Sequence, residues 1–453
     1  MRLFWFASAL LVCACGSAKQ IDPQGSAATS SEGGSSASGG SSANGGSSAS
    51  GGSSANGGSS ASGGSSANGG SSANGGVGGS GGSSSSACGV LTSGALGAQQ
   101  TAPVELSGLA VASVSSGFVV VLRQRSTSTQ EISMLSQHVS DEGVVGSVSG
   151  RSLETCPESA FDGIDVAFHG DQGTVVSTLQ NCAGSGAGIA FIPINAQGEL
   201  GTATQRRNAN FDSLSLAHHG ALAAIPGTND FELVYRARIS GVVGQSAVIT
   251  NNDFKAGANT INLFDAAPVS YASVSRSSSA RALLGATNTE TRLYTGVPGG
   301  SLSEQTLALA DQAAITTWND QVGLLFPEAN GASSLRTYST SGSVLSAIDL
   351  PESDVQAVAL TESQGRLFGA LGLAGGVHLV LATTSDLSND SSTYALPSVA
   401  NLESFDGHQL EINAARGRVF IAWLLKKSAA ANTAVGGWAL LQCNLESASG
   451  QGE

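Results

Sequence analysis

The chain is poor in charged residues, in aromatic residues and in long apolar runs. Asp, Glu, Lys and Arg make up 11% of its 453 residues, against about 25% in a typical globular protein. After the first fifteen residues no apolar run approaches the length of about 20 residues that a membrane-crossing helix needs. Basic residues are fewer than acidic ones, 19 against 33, so the net charge is −14. This acidic balance argues against nucleic acid as a partner.

The N-terminus has the features of an export signal. A basic start at Arg2 precedes an apolar run from residue 3 to residue 12, which fits a secretory signal peptide. Val12, Cys13 and Ala14 before Cys15 resemble the bacterial lipobox. The resemblance implies a signal peptide over residues 1–14 and a lipid anchor on Cys15, with the cell envelope, an outer membrane or the cell surface, as the location. The alternative is an ordinary signal cut after Ala18, which would give a secreted protein.

A low-complexity tract follows the leader. Residues 33–86 form nine consecutive six-residue repeats, seven of which read GGSSAS or GGSSAN. The tract has no charge and almost no apolar bulk, so it cannot offset the entropy cost of ordering. We therefore expect residues 15–87 to be a disordered tether, whose repeat tract over residues 33–86 has a mean span of about 40 Å. It serves either as a spacer that lifts a domain from the membrane or as a neutral linker.

Residues 88–453 repeat one pattern: an alternating apolar strand, a short polar turn and a second apolar strand. Seven reference positions mark the turns, and they recur on average every 50 residues over 300 residues: Gly117, Gly173, Gly220, Arg281, Val322, Gly365 and Gly417. A third strand follows most of them, as in 188–194, 231–235, 291–294 and 377–381. Glycines at 143, 198, 241 and 342 fit turns into a fourth strand.

Four strands in each repeat of 40–60 residues are typical of propeller blades. Alternation with a period of two excludes a helical repeat. The alternatives are two β-sandwiches, which would not space hairpins so evenly, or a β-solenoid, whose coils would be shorter. The sequence therefore predicts an all-β propeller over residues 88–453 with seven four-stranded blades, six or eight being the alternatives.

The domain resembles seven-bladed β-propellers in general. The whole chain resembles lipoproteins of myxobacterium-like bacteria that combine a lipobox, a Gly/Ser tether and a β domain. The resemblance rests on organisation, so it implies no activity.

Four cysteines remain beyond the lipobox, and an even number in an exported chain indicates two disulfides. Cys156 and Cys182 flank the hairpin of the second blade, so we expect them to pair. The last blade has only three strands after residue 408, and the segment after Cys88 can supply the fourth. That strand would place Cys88 beside Cys443, near the end of the chain, and close the ring.

Other polar groups carry weaker signals. Adjacent His218 and His219 point to opposite faces of a strand, so we interpret them, with His169, as turn residues. Three aspartates of one hairpin (162, 165 and 171) and a DLSND segment (386–390) are interpreted as solvated turns rather than calcium sites. Trp318, Trp423 and Trp438 lie in predicted strands and are expected to fill the core rather than stack on sugars.

The sequence contains no recognisable catalytic or cofactor motif, and no single serine is marked as a nucleophile. The leading hypothesis is a surface-displayed, lipid-anchored propeller without catalytic activity or a cofactor, which binds a protein or glycan. The alternatives are an exported hydrolase or lyase with a divalent metal in the central channel, and a structural envelope component.

Overall fold

A computed structural model describes part of the chain, all within one compact unit, Gly81–Glu453. The described residues are 88–96, 104–156, 163–179, 181, 185–216, 220–239, 246–251, 261–262, 269–287, 290–307, 312–328, 331–373, 376–382, 387, 391–396, 405–425 and 436–443. They contain 29 β-strands, which form seven separate antiparallel sheets. None of the helices among these residues is long and apolar enough to cross a membrane.

Each sheet is one blade, and six blades are built from strands that follow one another along the chain. Blade 1 contains β2 (Val104–Val114), β3 (Gly117–Ser126), β4 (Glu131–Ser140) and β5 (Val145–Thr155). Blade 2 contains β6 (Ile164–His169), β7 (Gln172–Leu179), β8 (Ala187–Asn195) and β9 (Thr204–Asn208). Blade 3 contains β10 (Phe211–Leu216), β11 (Leu222–Ala224), β12 (Phe231–Ile239), β13 (Ser246–Asn251) and β14 (Ile261–Asn262).

Blades 4 to 6 follow the same order. Blade 4 contains β15 (Val269–Arg276), β16 (Arg281–Thr287), β17 (Thr291–Gly296) and β18 (Ser303–Leu307). Blade 5 contains β19 (Ala314–Trp318), β20 (Gln321–Pro327), β21 (Ala332–Ser339) and β22 (Val344–Ser353). Blade 6 contains β23 (Ala357–Ser363), β24 (Arg366–Leu373), β25 (Gly376–Ala382) and β26 (Ser391–Ala395). Blade 7 combines β27 (Phe405–Ala415), β28 (Arg418–Leu425) and β29 (Gly436–Cys443) with β1 (Cys88–Leu96) from the other end of the domain.

The first strands of the blades contact one another in sequence around a ring. β2 contacts β6, β6 contacts β11, and the series continues through β15, β19 and β23 to β27, which contacts β2 again. The fold is therefore a seven-bladed β-propeller, as the sequence predicts. In a meander of antiparallel strands the first-to-second and third-to-fourth turns lie at the same end of a blade, and we call the end of the ring that carries the β2–β3, β4–β5 and β27–β28 turns the hairpin end.

The ring closes inside blade 7, where strands from the two ends of the domain pair. We call the junction of blades 7 and 1 the seam. Strand β1 pairs antiparallel with β29 from Cys88 opposite Cys443 to Leu96 opposite Gly436. A disulfide joins Cys88 to Cys443. The prediction that an N-terminal strand completes the last blade and is bonded to it is confirmed.

Blade 3 differs from the prediction. The pattern placed a hairpin between 214 and 225 with its turn near Gly220, but β10 and β11 do not pair with each other. Both pair with β12, so they form one interrupted first strand, and the hairpin turn lies between Ile225 and Phe231. The segment 231–235 is accordingly part of the second strand, not the third. Pro226 and Gly227 supply the turn chemistry, while the break near Gly220 only imitates a turn in the sequence.

Apolar clusters fill the spaces between the blades. One cluster joins blades 1 and 2, another blades 6 and 7, and a third the seam. At the seam Phe420 stacks on Phe118 with ring centroids 5.2 Å apart and on Trp438 at 5.4 Å. Each blade buries both faces against its neighbours, and the closed ring leaves no terminal blade with an open face.

Candidate functional site

The seam carries a cluster of chemically active side chains at the hairpin end. Ser116 lies in the turn between β2 and β3, and Asp141 lies in the turn between β4 and β5. His138 is near the end of β4. Arg416 belongs to the turn between β27 and β28 of blade 7, and Arg418 begins β28. We call these five residues the seam cluster.

Gly117 brings the β2–β3 turn close to β4. It lies opposite Ser140 in the strand register. Its φ is 154°, and an added Cβ would clash with the carbonyl oxygen of Val139 and lie 2.9 Å from the Nε2 atom of His138. A larger residue would push the turn outward, so this glycine holds Ser116 next to the imidazole.

Ser116 and His138 form a hydroxyl–imidazole pair, with 3.1 Å between Oγ and Nε2. When Nε2 carries no proton, the Ser116 hydroxyl donates to it. Burial lowers the pKa of His138 below its ordinary value of 6.5, and the Ser116 backbone and the Asp141 carboxylate oppose this shift. The imidazole is therefore neutral at pH 7 and able to accept a proton.

Arg416 ties the two blades together. Its Nε donates to Oδ2 of Asp141 at 2.7 Å and its Nη2 donates to Oδ1 at 2.9 Å, which is the bidentate geometry of strong arginine–carboxylate pairs. Nη2 also donates to the Gly117 carbonyl at 3.0 Å, and Arg418 Nε donates to the Asp141 carbonyl at 3.0 Å. Arg416 has a φ of 51°, a left-handed backbone conformation that costs free energy for a residue other than glycine.

Exposed aliphatic side chains lie next to this cluster. The large exposed apolar residues of the described chain are all in outermost strands or in the turns that lead into them: Leu91, Val144, Val145, Val148, Val297, Val344 and Leu345. Val144 is 66% exposed and shares its turn with Asp141. Gly143 in the same turn packs against Thr92 of blade 7, which places Val144 and Leu91 on the two sides of the seam. We call Leu91, Val144, Val145 and Val148 the aliphatic rim.

Two buried carboxylates, apart from the seam cluster, link neighbouring blades to each other. Glu232 is fully buried, and both of its oxygens are bonded by arginines of blade 4: Arg276 at 2.9 Å, and Arg281, whose Nε lies at 3.0 Å. Asp165 accepts hydrogen bonds from the backbone N–H groups of Val166 and Leu222, each at 2.7 Å. These carboxylates link blades 3 and 4 and blades 2 and 3.

The tryptophans are core residues, as predicted. Trp318, Trp423 and Trp438 are 2%, 5% and 3% exposed. The indole N–H of Trp318 donates to the carbonyl of Gly365 in the next blade at 2.8 Å. None of the three offers a ring face to a sugar.

The remaining predicted cysteine sites lie partly outside the described residues. Cys156 is fully buried and disulfide-bonded, but its expected partner Cys182 lies outside the described residues, as does Cys15, the predicted site of the lipid anchor. The 156–182 bond and the lipid anchor stay predictions.

The residues predicted to lie in solvated turns have different outcomes. Asp171 is exposed in the turn after β6, but the prediction for Asp165 is wrong, because this residue is buried within β6 and its carboxylate accepts two backbone hydrogen bonds. His218, His219, Asp162, residue 386 and the segment 388–390 lie outside the described residues. His169 lies at the end of β6 beside its turn, where Nε2 donates to the carbonyl of Asp230 at 2.6 Å. The described part of the chain holds no group of three or more potential metal ligands.

No family model and no curated protein sequence matches this chain. Among solved structures it is similar to the BP39L lectin from Burkholderia pseudomallei, at 11% identity over 74% of this chain and 96% of the lectin, with a TM-score of 0.49. It is similar at 8% identity to the Dos1 propeller (78% and 96% coverage, TM-score 0.43) and to the sialidase from Trypanosoma rangeli (75% and 54% coverage, TM-score 0.41). At these values the similarities carry no argument about activity. The class of this protein is the seven-bladed β-propeller, which the pairing of its own strands defines.

Proposed function

We propose that this chain is a lipid-anchored, surface-displayed propeller that binds a protein partner through the aliphatic rim at the seam, without catalysing a reaction on it. The observation that carries the proposal is the distribution of exposed aliphatic side chains. Those of the described residues lie in outermost strands and their turns, and four of the seven belong to blade 1 and the neighbouring β1. Apolar groups gathered on one surface are typical of interaction sites.

A protein partner fits this surface better than a glycan does. Sugar recognition commonly uses aromatic faces next to fixed polar groups, whereas the three described tryptophans are buried. Val144, Val145 and Leu91 offer branched aliphatic groups, which gain mainly from burial against other apolar side chains. The paired charges of Asp141 and Arg416 beside them supply the polar margin of such an interface.

The N-terminal segments would deliver this surface to the outside of the cell. Acylation of Cys15 would fix the chain to a membrane, since each buried acyl CH₂ contributes about 0.8 kcal/mol. A tether over residues 15–87, whose repeat tract (33–86) has a mean span of about 40 Å, would let the domain search for its partner. The repeat tract carries no charged group that could compete for the interface.

Site-specific photo-crosslinking in intact cells tests the binding surface. A benzophenone amino acid at Val144 is expected to form a discrete protein adduct, because this side chain would face the partner. The adduct should disappear when Leu91→Ser and Val145→Ser are added. The same photo-crosslinker at Ser128, in a turn at the opposite end of blade 1, is the matched control. Equal adducts at both positions, a glycan-like smear, or no adduct at Val144 would overturn the proposal.

The anchor has a separate test. Mass spectrometry of the N-terminal peptide should find acyl chains on Cys15, and Cys15→Ala should release the protein from membranes while Cys13→Ala should not. A free N-terminus beyond residue 18 would show an ordinary signal peptide.

The alternative, a hydrolase or lyase with a divalent metal in the channel, makes a different prediction. Chelation would then lower the melting temperature strongly, because one metal would tie several blades together.

A further inference from the structure

We propose that Ser116 is an activated nucleophile, with His138 as its general base, that accepts acyl or phosphonyl groups from small activated esters and their fluorophosphonate analogues. This activity goes beyond partner binding. A hydroxyl within hydrogen-bond distance of an imidazole is the arrangement that converts a weak alcohol nucleophile into a reactive one. The distance between Ser116 Oγ and His138 Nε2 is 3.1 Å.

The turn presents the hydroxyl to solvent. Ser116 is exposed and His138 is partly buried behind it. Ser115, the other residue of the same turn, is also exposed. Ser116 is hydrogen-bonded to the imidazole, and Ser115 serves as an internal reference for an exposed serine of the same turn.

The charged groups around His138 favour its role as a general base. Asp141, in the next turn of blade 1, acts on the imidazole electrostatically and stabilises the imidazolium that forms when His138 takes a proton. Arg416 of blade 7 acts in the opposite sense, but its guanidinium is bonded in a bidentate manner to Asp141. Asp141 and Arg416 are positioning residues here, since neither contacts the reacting atoms.

Arg416 also supplies positive charge beside the turn. Its Nη2 atom lies 3.0 Å from the carbonyl oxygen of Gly117, the residue after the nucleophile. This hydrogen bond, together with the bidentate pair with Asp141, helps to hold the β2–β3 turn in place.

The step balances without an added oxidant or reductant. The Ser116 Oγ atom forms a bond to the ester carbonyl carbon while its proton moves to Nε2 of His138. The bond from that carbon to the leaving oxygen then breaks, and the imidazolium gives the proton to the leaving group. Water, activated by the same imidazole, hydrolyses the acyl-serine. With a fluorophosphonate, the phosphorus–oxygen bond forms and fluoride leaves.

Labelling of the purified full-length protein tests the proposal without any partner, so its outcome is independent of the binding proposal. A fluorophosphonate probe followed by peptide mass spectrometry should modify Ser116 at least about tenfold faster than Ser115, because general-base assistance contributes roughly 10²–10⁴-fold. His138→Gln should lower the Ser116 rate to that of Ser115. p-Nitrophenyl acetate should give the same ranking as the fluorophosphonate. Equal labelling of the two serines, or an unchanged rate in His138→Gln, overturns the proposal.

A pH profile of the wild-type protein keeps the test valid if the variant does not fold. The labelling rate should be level near pH 7.5 and should fall as the pH drops below 6.5, where His138, flanked by Asp141 and Arg416, becomes protonated. A rate that is independent of pH between 5 and 7.5 would contradict a histidine base.

Discussion

Cys88 and Cys443 are bonded to each other across 355 residues of sequence, and they also lie opposite each other in the antiparallel pairing of β1 with β29. The covalent bond and the hydrogen-bonded strand pair therefore close the ring at the same place. Blades 1 and 7 are the first and last to appear in the chain, and without this closure each would leave one apolar face in water.

Loss of the closing disulfide should destabilise the whole ring. The double variant Cys88→Ser/Cys443→Ser is expected to lose about 5 kcal/mol of unfolding free energy, the upper end of what a long loop gives in the chain-entropy model. Urea unfolding under non-reducing conditions measures this difference. A double variant avoids breaking the bond of Cys156, which general reduction would also remove. A loss below about 1 kcal/mol would show that the strand pairing alone closes the ring.

The second predicted disulfide is testable by peptide mapping without reduction. A peptide that links Cys156 to Cys182 is expected, because the two flank the first hairpin of blade 2. Cys156 is buried and bonded. A link from Cys156 to any other cysteine would contradict the predicted pairing.

Strand β1 offers two glycines with opposite surroundings. A Cβ added at Gly94 would lie 2.8 Å from the Trp438 ring, whereas one at Gly89 would meet nothing within 4 Å. Gly94→Val should therefore cost about 1–3 kcal/mol by overpacking the seam. Gly89→Val in the same strand is the control and should leave the melting temperature nearly unchanged. Equal effects of both variants would mean that β1 is not packed against Trp438.

The sequence predicts the blade architecture because hairpins are local. Alternating apolar residues on both sides of a polar turn locate the turns before Gly117, Gly173 and Gly417 correctly. The same rule fails at Gly220, because a break within one strand has the same local pattern as a turn. The Cys88–Cys443 pair is also predictable, since a blade with three strands needs a fourth from elsewhere.

The seam cluster cannot be predicted from the sequence, because its residues come together only in the folded ring. Ser116 and His138 meet because Gly117 lets one turn approach β4 closely, and that distance depends on the register of three strands. Serines are abundant in this chain, so composition does not separate Ser116 from the rest. The arginine of blade 7 reaches Asp141 only once the ring is closed.

The buried ion triad between blades 3 and 4 should be sensitive to loss of its single carboxylate. Arg276 and Arg281 lie directly opposite each other in β15 and β16, and like charges in that position repel. Glu232→Ala is expected to cost about 3–5 kcal/mol, since it leaves two buried guanidinium groups without their carboxylate.

An exposed pair provides the control for this variant. Glu304, whose side chain is 47% exposed, lies 3.3 Å from Arg292. Glu304→Ala should cost at most about 1 kcal/mol. If denaturant unfolding gave the two variants similar free energies, the triad would contribute no more than a surface ion pair.

Acid should weaken the seam through His138. Burial lowers the pKa of this imidazole in the folded protein below the ordinary 6.5, so the unfolded chain binds a proton more readily. The contribution of His138 to the free energy of unfolding is fully present above pH 6.5 and falls as the pH drops below that value. Asp141 and Arg416 face the imidazole, and Arg416 is bonded to both oxygens of Asp141. NMR titration, with His138→Gln assigning the resonance, should give a pKa below 6.5. The variant should also lose less stability than the wild type between pH 7 and pH 5. A measured pKa above 6.5 would mean that the Asp141 carboxylate outweighs burial, and the wild-type seam would then become more stable in acid.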